Sequence, residues 1–294
     1  MSLDFLTHWS LEPYVIAPLV IFAATLRWLL TRIKGGPHPG HVAPRRVFFL
    51  VASLVVAFLA LESPVGFYAD QNFSVHMIQH LLLTLVVAPL FVLGAPVTLI
   101  LQAATPESRR NILLPLLHSR GVRVLANPVV SWGLFALVLP LSHIPAFYDL
   151  TLRSETWHGF EHLVLMFSAT LFWWPVVAVD PMPRPISHPA RVLYLFLIMP
   201  VMTFTGLAIY TANHVLYLHY AEAAGTVHAA LSDQNLAGAF MWEAGMFLIV
   251  PALGAVLIDW MNRDERETAR EDARRARRVS ADVGASALNA KVGS

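Results

Sequence analysis

Phe73-Ser74-Val75-His76-Met77-Ile78-Gln79-His80 opens an apolar run that continues from Leu81 to Leu101. A bilayer core about 30 Å thick takes roughly 20 apolar residues of α-helix, and this run supplies them. At its polar mouth His76 and His80 are four residues apart, so both imidazoles lie on one helical face, ~6 Å from each other. A second pair, in His158-Gly159-Phe160-Glu161-His162, opens the run from Leu163 to Val179. Imidazole is the commonest protein ligand of late transition metals, and each pair can grip an ion from a single helix. Whether the pairs share one site depends on where the two helices sit.

Composition supplies the fold class. Apolar residues make up 56% of the 294, charged residues 13%, and mean hydropathy is +0.59. These values are far from a soluble domain and imply an all-α polytopic membrane protein. Seven segments meet or approach spanning length: Tyr14 to Leu30, Val47 to Leu61, Val75 to Leu101, Val129 to Ser142, Leu163 to Val179, Val192 to Thr211 and Leu236 to Trp260. The fourth is short. The third is long enough to break, at Pro89 and at Gly94-Ala95-Pro96, where proline removes a donor and crowds the preceding turn. The expected division is an outer lead-in over 1–12, a seven-helix domain over 13–262 and a basic tail over 263–294. That tail turns Ala/Ser/Gly-rich after about Arg278 and is expected to be disordered.

Charge orients the chain. All but one of the 20 lysines and arginines lie at or after the ends of the odd-numbered segments; Arg153 is the exception. The positive-inside rule then places the N-terminus outside, the C-terminus in the cytoplasm and seven crossings between them. His76, His80, His158 and His162 therefore enter the membrane together in the outer leaflet, and His143, at the exit of the fourth segment, joins them. A net charge of +1 without a basic folded face excludes a nucleic-acid partner. The absence of cysteine excludes disulfides and thiolate ligation, leaving nitrogen, oxygen and thioether donors. Residues 1–12 have no basic n-region, so no cleavable signal is expected.

Met77, Met199 and Met202 read as core, Phe172-Trp173-Trp174-Pro175 as an interfacial aromatic belt, and His8-Trp9 as an interfacial anchor. Asp70 or Ser74 is expected to cap the helix that carries His76. Asp149 is either an exposed loop carboxylate or an orienting partner of an imidazole; Glu161 either favours the positive start of its helix or orients a ligand. Unpaired imidazoles at a bilayer edge cost free energy unless hydrogen bonded or metal bound, so His76, His80, His143, His158 and His162 form the candidate metal set. Copper and zinc both suit nitrogen donors. Haem leaves the i, i+4 spacing unexplained.

His76-Met-Ile-Gln-His80-Leu-Leu-Leu, Ala88-Pro-Leu, Leu93-Gly-Ala-Pro96, His143-Ile-Pro, Tyr148-Asp149, His158-Gly-Phe-Glu-His162, Phe172-Trp-Trp-Pro175, and Asp233-Gln234 with Met241-Trp242 occur in that order. As a set they resemble the cytochrome c oxidase assembly factors of the CtaG type, found with caa3 oxidases, from about Trp9 to Trp260. The resemblance implies a seven-helix protein of the bacterial plasma (inner) membrane, embedded in lipid, that handles copper for haem-copper oxidase. Its implied partners are oxidase subunits and a periplasmic or extracellular copper donor. His76, His80, His143, His158 and His162 match the family's histidines, and Asp149, Asp233 and Met241 match its other polar or soft positions, candidates for orienting or transfer. The chief alternative is a zinc-dependent intramembrane hydrolase, because His158-Gly-Phe-Glu161-His162 has H-x-x-E-H spacing. A structural platform without metal is the third reading.

Overall fold

The computed structural model describes residues 8–35, 40–152, 154–182 and 185–292, and every regular element among them is helical. The first are α1 (Pro13–Gly35), α2 (Pro44–Glu62), α3 (Pro64–Ala69), α4 (Phe73–Leu82), α5 (Ala88–Leu93) and α6 (Pro96–Ala103). The basic connection that follows folds into α7 (Pro106–Ser108), α8 (Leu114–Leu117) and α9 (Arg120–Leu125). Then come α10 (Pro128–Ser142), α11 (Pro145–Leu152), α12 (Glu155–Val177), α13 (His188–Tyr210), α14 (Leu218–Ala224), α15 (Val227–Ala244) and α16 (Val250–Val292). Many of these helices open on proline, at the position where its missing N–H has no intrahelical acceptor to lose.

Six stretches are long and apolar enough to cross a membrane: Pro13–Gly35, Pro44–Glu62, Phe73–Ala103, Thr156–Val177, His188–Tyr210 and Val227–Arg275. The fourth expected crossing is α10, with 15 residues. At 1.5 Å per residue it measures ~22 Å, short of a full core, as its sequence implied. The connection between the last two long stretches holds α14, and α15 begins at Val227, ahead of the apolar run from Leu236.

The third long stretch breaks where its prolines require. Pro89 offers no N–H, and the helix widens ahead of it into a π-helical turn, Leu83–Val87, in which the Ala88 N–H reaches back to the Leu83 carbonyl. A second break follows at Gly94-Ala95, where Ala95 takes a left-handed φ of 53° before Pro96 starts α6. Asp180 closes that break from the far end of α12, accepting the Val97 N–H at 3.1 Å, the Thr98 N–H at 2.8 Å and the Thr98 hydroxyl at 2.6 Å.

The bundle packs α13 along α15, α10 against α12, α4 against α15, and α5 with the π-helical turn against α12. Gly206 and Gly238 allow the closest of these approaches: a Cβ on Gly238 would lie 2.6 Å from the Tyr210 nitrogen and 2.7 Å from the Gly206 carbonyl oxygen. Met77 and Met202 are in the core, as expected. One expectation is corrected. Phe172 and Trp173 are 0% and 3% exposed, inside the core rather than in an interfacial belt, because Trp173 has a buried acceptor to serve. Beyond the apolar part, α16 continues to Val292. Its Ala, Arg and Glu content favours helix, and Asp259 and Arg263 form an i, i+4 ion pair at 3.1 Å.

Candidate metal centre

The site begins with the start of α4. Asn72 occupies the cap position, but its side chain donates back to the Tyr68 carbonyl and caps no amide of the helix. The cap is Asp233, on α15, which accepts the Phe73 N–H at 2.6 Å and the Ser74 N–H at 3.3 Å, and also the Ser74 hydroxyl. Neither Asp70 nor Ser74 fills the role expected of it; a carboxylate 160 positions away does, and its charge also suits the positive end of the helix. Gln79 pins the same helix to α2 by donating to the Ala60 carbonyl at 3.0 Å. In the widened register of the π-helical turn, the Thr84 carbonyl faces the missing N–H of Pro89. The Trp173 indole N–H supplies the bond instead, at 2.9 Å, and so fixes α12 against the His-bearing helix.

Across this contact the two histidine pairs meet. The rings of His76 and His158 stack with centroids 5.2 Å apart, His80 and His162 lie at 5.3 Å, and His158 and His162 at 4.4 Å. His76 and His80 bring their Nε2 atoms to 2.8 Å. His143 comes from the end of α10, its ring 5.9 Å from that of His80. Its Nδ1–H donates to the Leu139 carbonyl at 2.6 Å, which fixes the tautomer and leaves a lone pair on Nε2. Each of the five imidazoles keeps one buried ring nitrogen without a hydrogen-bond partner: Nδ1 of His76 and His80, Nε2 of His143, His158 and His162. Both carboxylate oxygens of Glu161 are buried and equally unpartnered. Ligand atoms of His76, His158 and His162 lie within 4.8 Å of one another, as do those of His76, His80 and Glu161. Neutral imidazoles with a carboxylate and no thiolate fit copper or zinc.

Tyrosines roof the cluster. Tyr148, on α11, sets its ring 5.3 Å from that of His76, and its hydroxyl pairs with that of Tyr220 at 3.1 Å. Tyr220 donates onward to the Ala69 carbonyl, and Tyr217 to the His143 carbonyl at 2.7 Å. Burial first, then the neighbouring phenol, holds the Tyr148 hydroxyl well above the ordinary phenol range; burial does the same for Tyr220. Both remain protonated donors. Gln234 holds the loop beneath them, accepting the Leu216 N–H at 2.8 Å and donating to the His214 carbonyl at 3.2 Å.

The remaining expected residues stand apart. Asp233 spends its carboxylate on the α4 cap. Met241 is buried against α13, its Cβ 3.2 Å from the place a Cβ on Gly206 would occupy. Asp149 belongs to α11, and its side chain lies outside the described residues. His219, outside the expected set, is exposed; it reaches the Asp70 carbonyl at 3.0 Å and sets its ring 5.3 Å from that of Tyr220. Sequence reasoning missed Tyr217, Tyr220, Thr84 and Asp180. Of these, Asp180-Pro181 carried a legible signal, a lone acid between an apolar run and a proline.

The sequence pattern of the cytochrome c oxidase caa3 assembly factor family (Caa3_CtaG) matches residues 19–263, which contain every residue of the cluster. The chain belongs to this family. An uncharacterized protein of Mycobacterium tuberculosis is 28% identical over 277 residues, covering 91% of this chain and 41% of the relative, and one of Mycobacterium bovis matches with the same figures. An uncharacterized protein of Mycobacterium leprae is 28% identical over 294 residues, 97% of this chain and 44% of the relative. The chain thus spans less than half the length of these relatives. No solved structure matches it. Within the caa3 assembly factor family, the cluster is the chemistry that requires a functional account.

Proposed function

We propose that this assembly factor binds copper in the cluster of His76, His80, His143, His158 and His162 and hands it to a subunit of the haem-copper oxidase. The observation that carries the reading is the set of five unpartnered buried ring nitrogens. A hydrogen-bonded structural cluster would satisfy them, since an unmade bond to a buried polar atom costs about 1–3 kcal/mol. In a neutral His76–His80 pair one Nε2–H donates to the other Nε2, and the acceptor's Nδ1–H is then left buried without an acceptor. A cation takes the lone pair on which that hydrogen bond depends and gives a partner to the lone pair that His143 keeps on Nε2. Copper is the cargo that an oxidase needs and that neutral imidazole binds well.

In this reading the chain crosses the bacterial plasma membrane seven times, with its N-terminus outside and its C-terminus in the cytoplasm, α10 being the short crossing. The distribution of Lys and Arg supports that orientation. The cluster then opens toward the compartment that holds a periplasmic or extracellular copper donor. Fixed tautomers prepare it: Leu139 orients His143, and the Asp233 cap and the Trp173 bond hold the two histidine-bearing helices in register. Asp233 acts through helix position, and Met241 through packing.

One observation favours a second reading. Glu161, with both oxygens unpartnered beside His76 and His80, is placed as the general base of a zinc hydrolase would be. Elemental analysis separates the two. Purified protein loaded in turn with Cu(I) and Zn(II) is expected to retain copper near one equivalent, and the His76→Ala/His158→Ala variant to lose it while staying folded in detergent. Zinc retained in preference to copper supports the hydrolase; undiminished copper in the variant overturns the site.

A further inference from the structure

The two triads of the cluster differ in a way that one shared ion does not explain. His76, His158 and His162 converge within 4.8 Å, and the last two are only partly buried. His76, His80 and Glu161 converge within the same distance, and all three are buried. His76 belongs to both. The first triad is three neutral nitrogens near the mouths of α4 and α12. The second exchanges the partly buried His158 and His162 for the buried His80 and Glu161, and its carboxylate neutralises part of a cation's charge where water is excluded.

We infer that the cluster is a two-position relay for the copper ion, with a half-buried loading position at His76, His158 and His162 and a buried holding position at His76, His80 and Glu161. The inference rests on the copper reading above. Passage between the positions is ligand exchange alone. The bond to His76 persists, those to His158 and His162 break, and those to His80 and Glu161 form, with no change of oxidation state. Because His76 never releases the ion, the step avoids the desolvation cost of a free cation in a low-dielectric site. His143, held by Leu139 with its Nε2 free and its ring 5.9 Å from that of His80, stands at the holding end and can complete the coordination there.

The full chain in detergent, loaded anaerobically with one equivalent of Cu(I), is mixed in a stopped-flow instrument with excess of a water-soluble Cu(I) chelator. Two release phases are expected, the slower by at least about tenfold, the range over which changes around a metal alter its affinity and release. Glu161→Gln is expected to abolish the slow phase while one equivalent stays bound before mixing. His158→Gln is expected to abolish the fast one. A single phase from the unsubstituted protein overturns the relay and leaves the copper reading standing, as does an unchanged pair of phases in Glu161→Gln. Failure of the unsubstituted protein to retain Cu(I) through gel filtration overturns both. The phase count of the unsubstituted protein decides the question even where a variant does not fold.

Discussion

The Asp233 carboxylate accepts the Phe73 amide at 2.6 Å, so the residue that starts the histidine-bearing helix is held by a side chain from the last long apolar stretch. Local sequence around Phe73 provides no cap of its own. Asp233→Ala removes the acceptor for two backbone amides and is expected to cost about 1 kcal/mol, within the range for lost helix caps. Asp233→Asn keeps one acceptor oxygen and is expected to recover most of that. Denaturant unfolding in detergent micelles checks the order of the three proteins.

Trp173→Phe keeps the aromatic body and removes the indole donor. The Thr84 carbonyl is then buried beside a proline with nothing to bond, at a cost of about 1–3 kcal/mol. Copper affinity is expected to fall as well, since α12 loses its register against the π-helical turn. An unfolding curve and a copper titration unchanged from those of the parent would contradict this.

Gly238→Ala tests the α13–α15 seam. The added methyl would sit 2.6 Å from the Tyr210 nitrogen, and backbone on both sides gives it nowhere to move. A loss of about 1–3 kcal/mol is expected, typical of overpacking. Gly159→Ala, with no atom within 4 Å of the added Cβ, serves as the control and is expected to unfold with the parent protein.

His143→Ala and Ser142→Ala separate ligation from orientation. The Leu139 carbonyl already fixes the His143 ring, at 2.6 Å against 3.1 Å for the Ser142 hydroxyl. His143→Ala is expected to weaken Cu(I) binding by about 10- to 100-fold. Ser142→Ala is expected to leave it within a factor of about three, the longer contact being worth less than the bond to a fixed backbone acceptor. Competition against a chelator of known affinity reads both.

What the sequence made legible was periodic. The i, i+4 pairs at His76/His80 and His158/His162 and the apolar lengths follow from helical geometry alone. The breaks at Pro89 and Pro96 follow from a missing N–H. What stayed hidden was pairwise and remote. Trp173 read as an interfacial anchor because tryptophan near a helix end usually is one; its acceptor, Thr84, lies 89 positions away and exists only because the helix widens before Pro89. Asp233 read as a candidate for orienting or transfer because it matches a polar position of the family resembled, and the competing use, capping a helix from another segment, leaves no local mark.

The π-helical turn at Leu83–Val87 is, in effect, one inserted residue. Each residue advances an α-helix by ~100°, so that insertion sets the azimuth of everything ahead of it relative to everything behind. His76 and His80 look toward α12 because of this count, whatever their own identity. Deleting one residue from Leu83–Val87 would keep every ligand in the chain, make the helix regular and turn both imidazoles about a quarter of the way round, away from His158 and His162. The composition of the centre is written at its ligands, and its aim is written a turn below them.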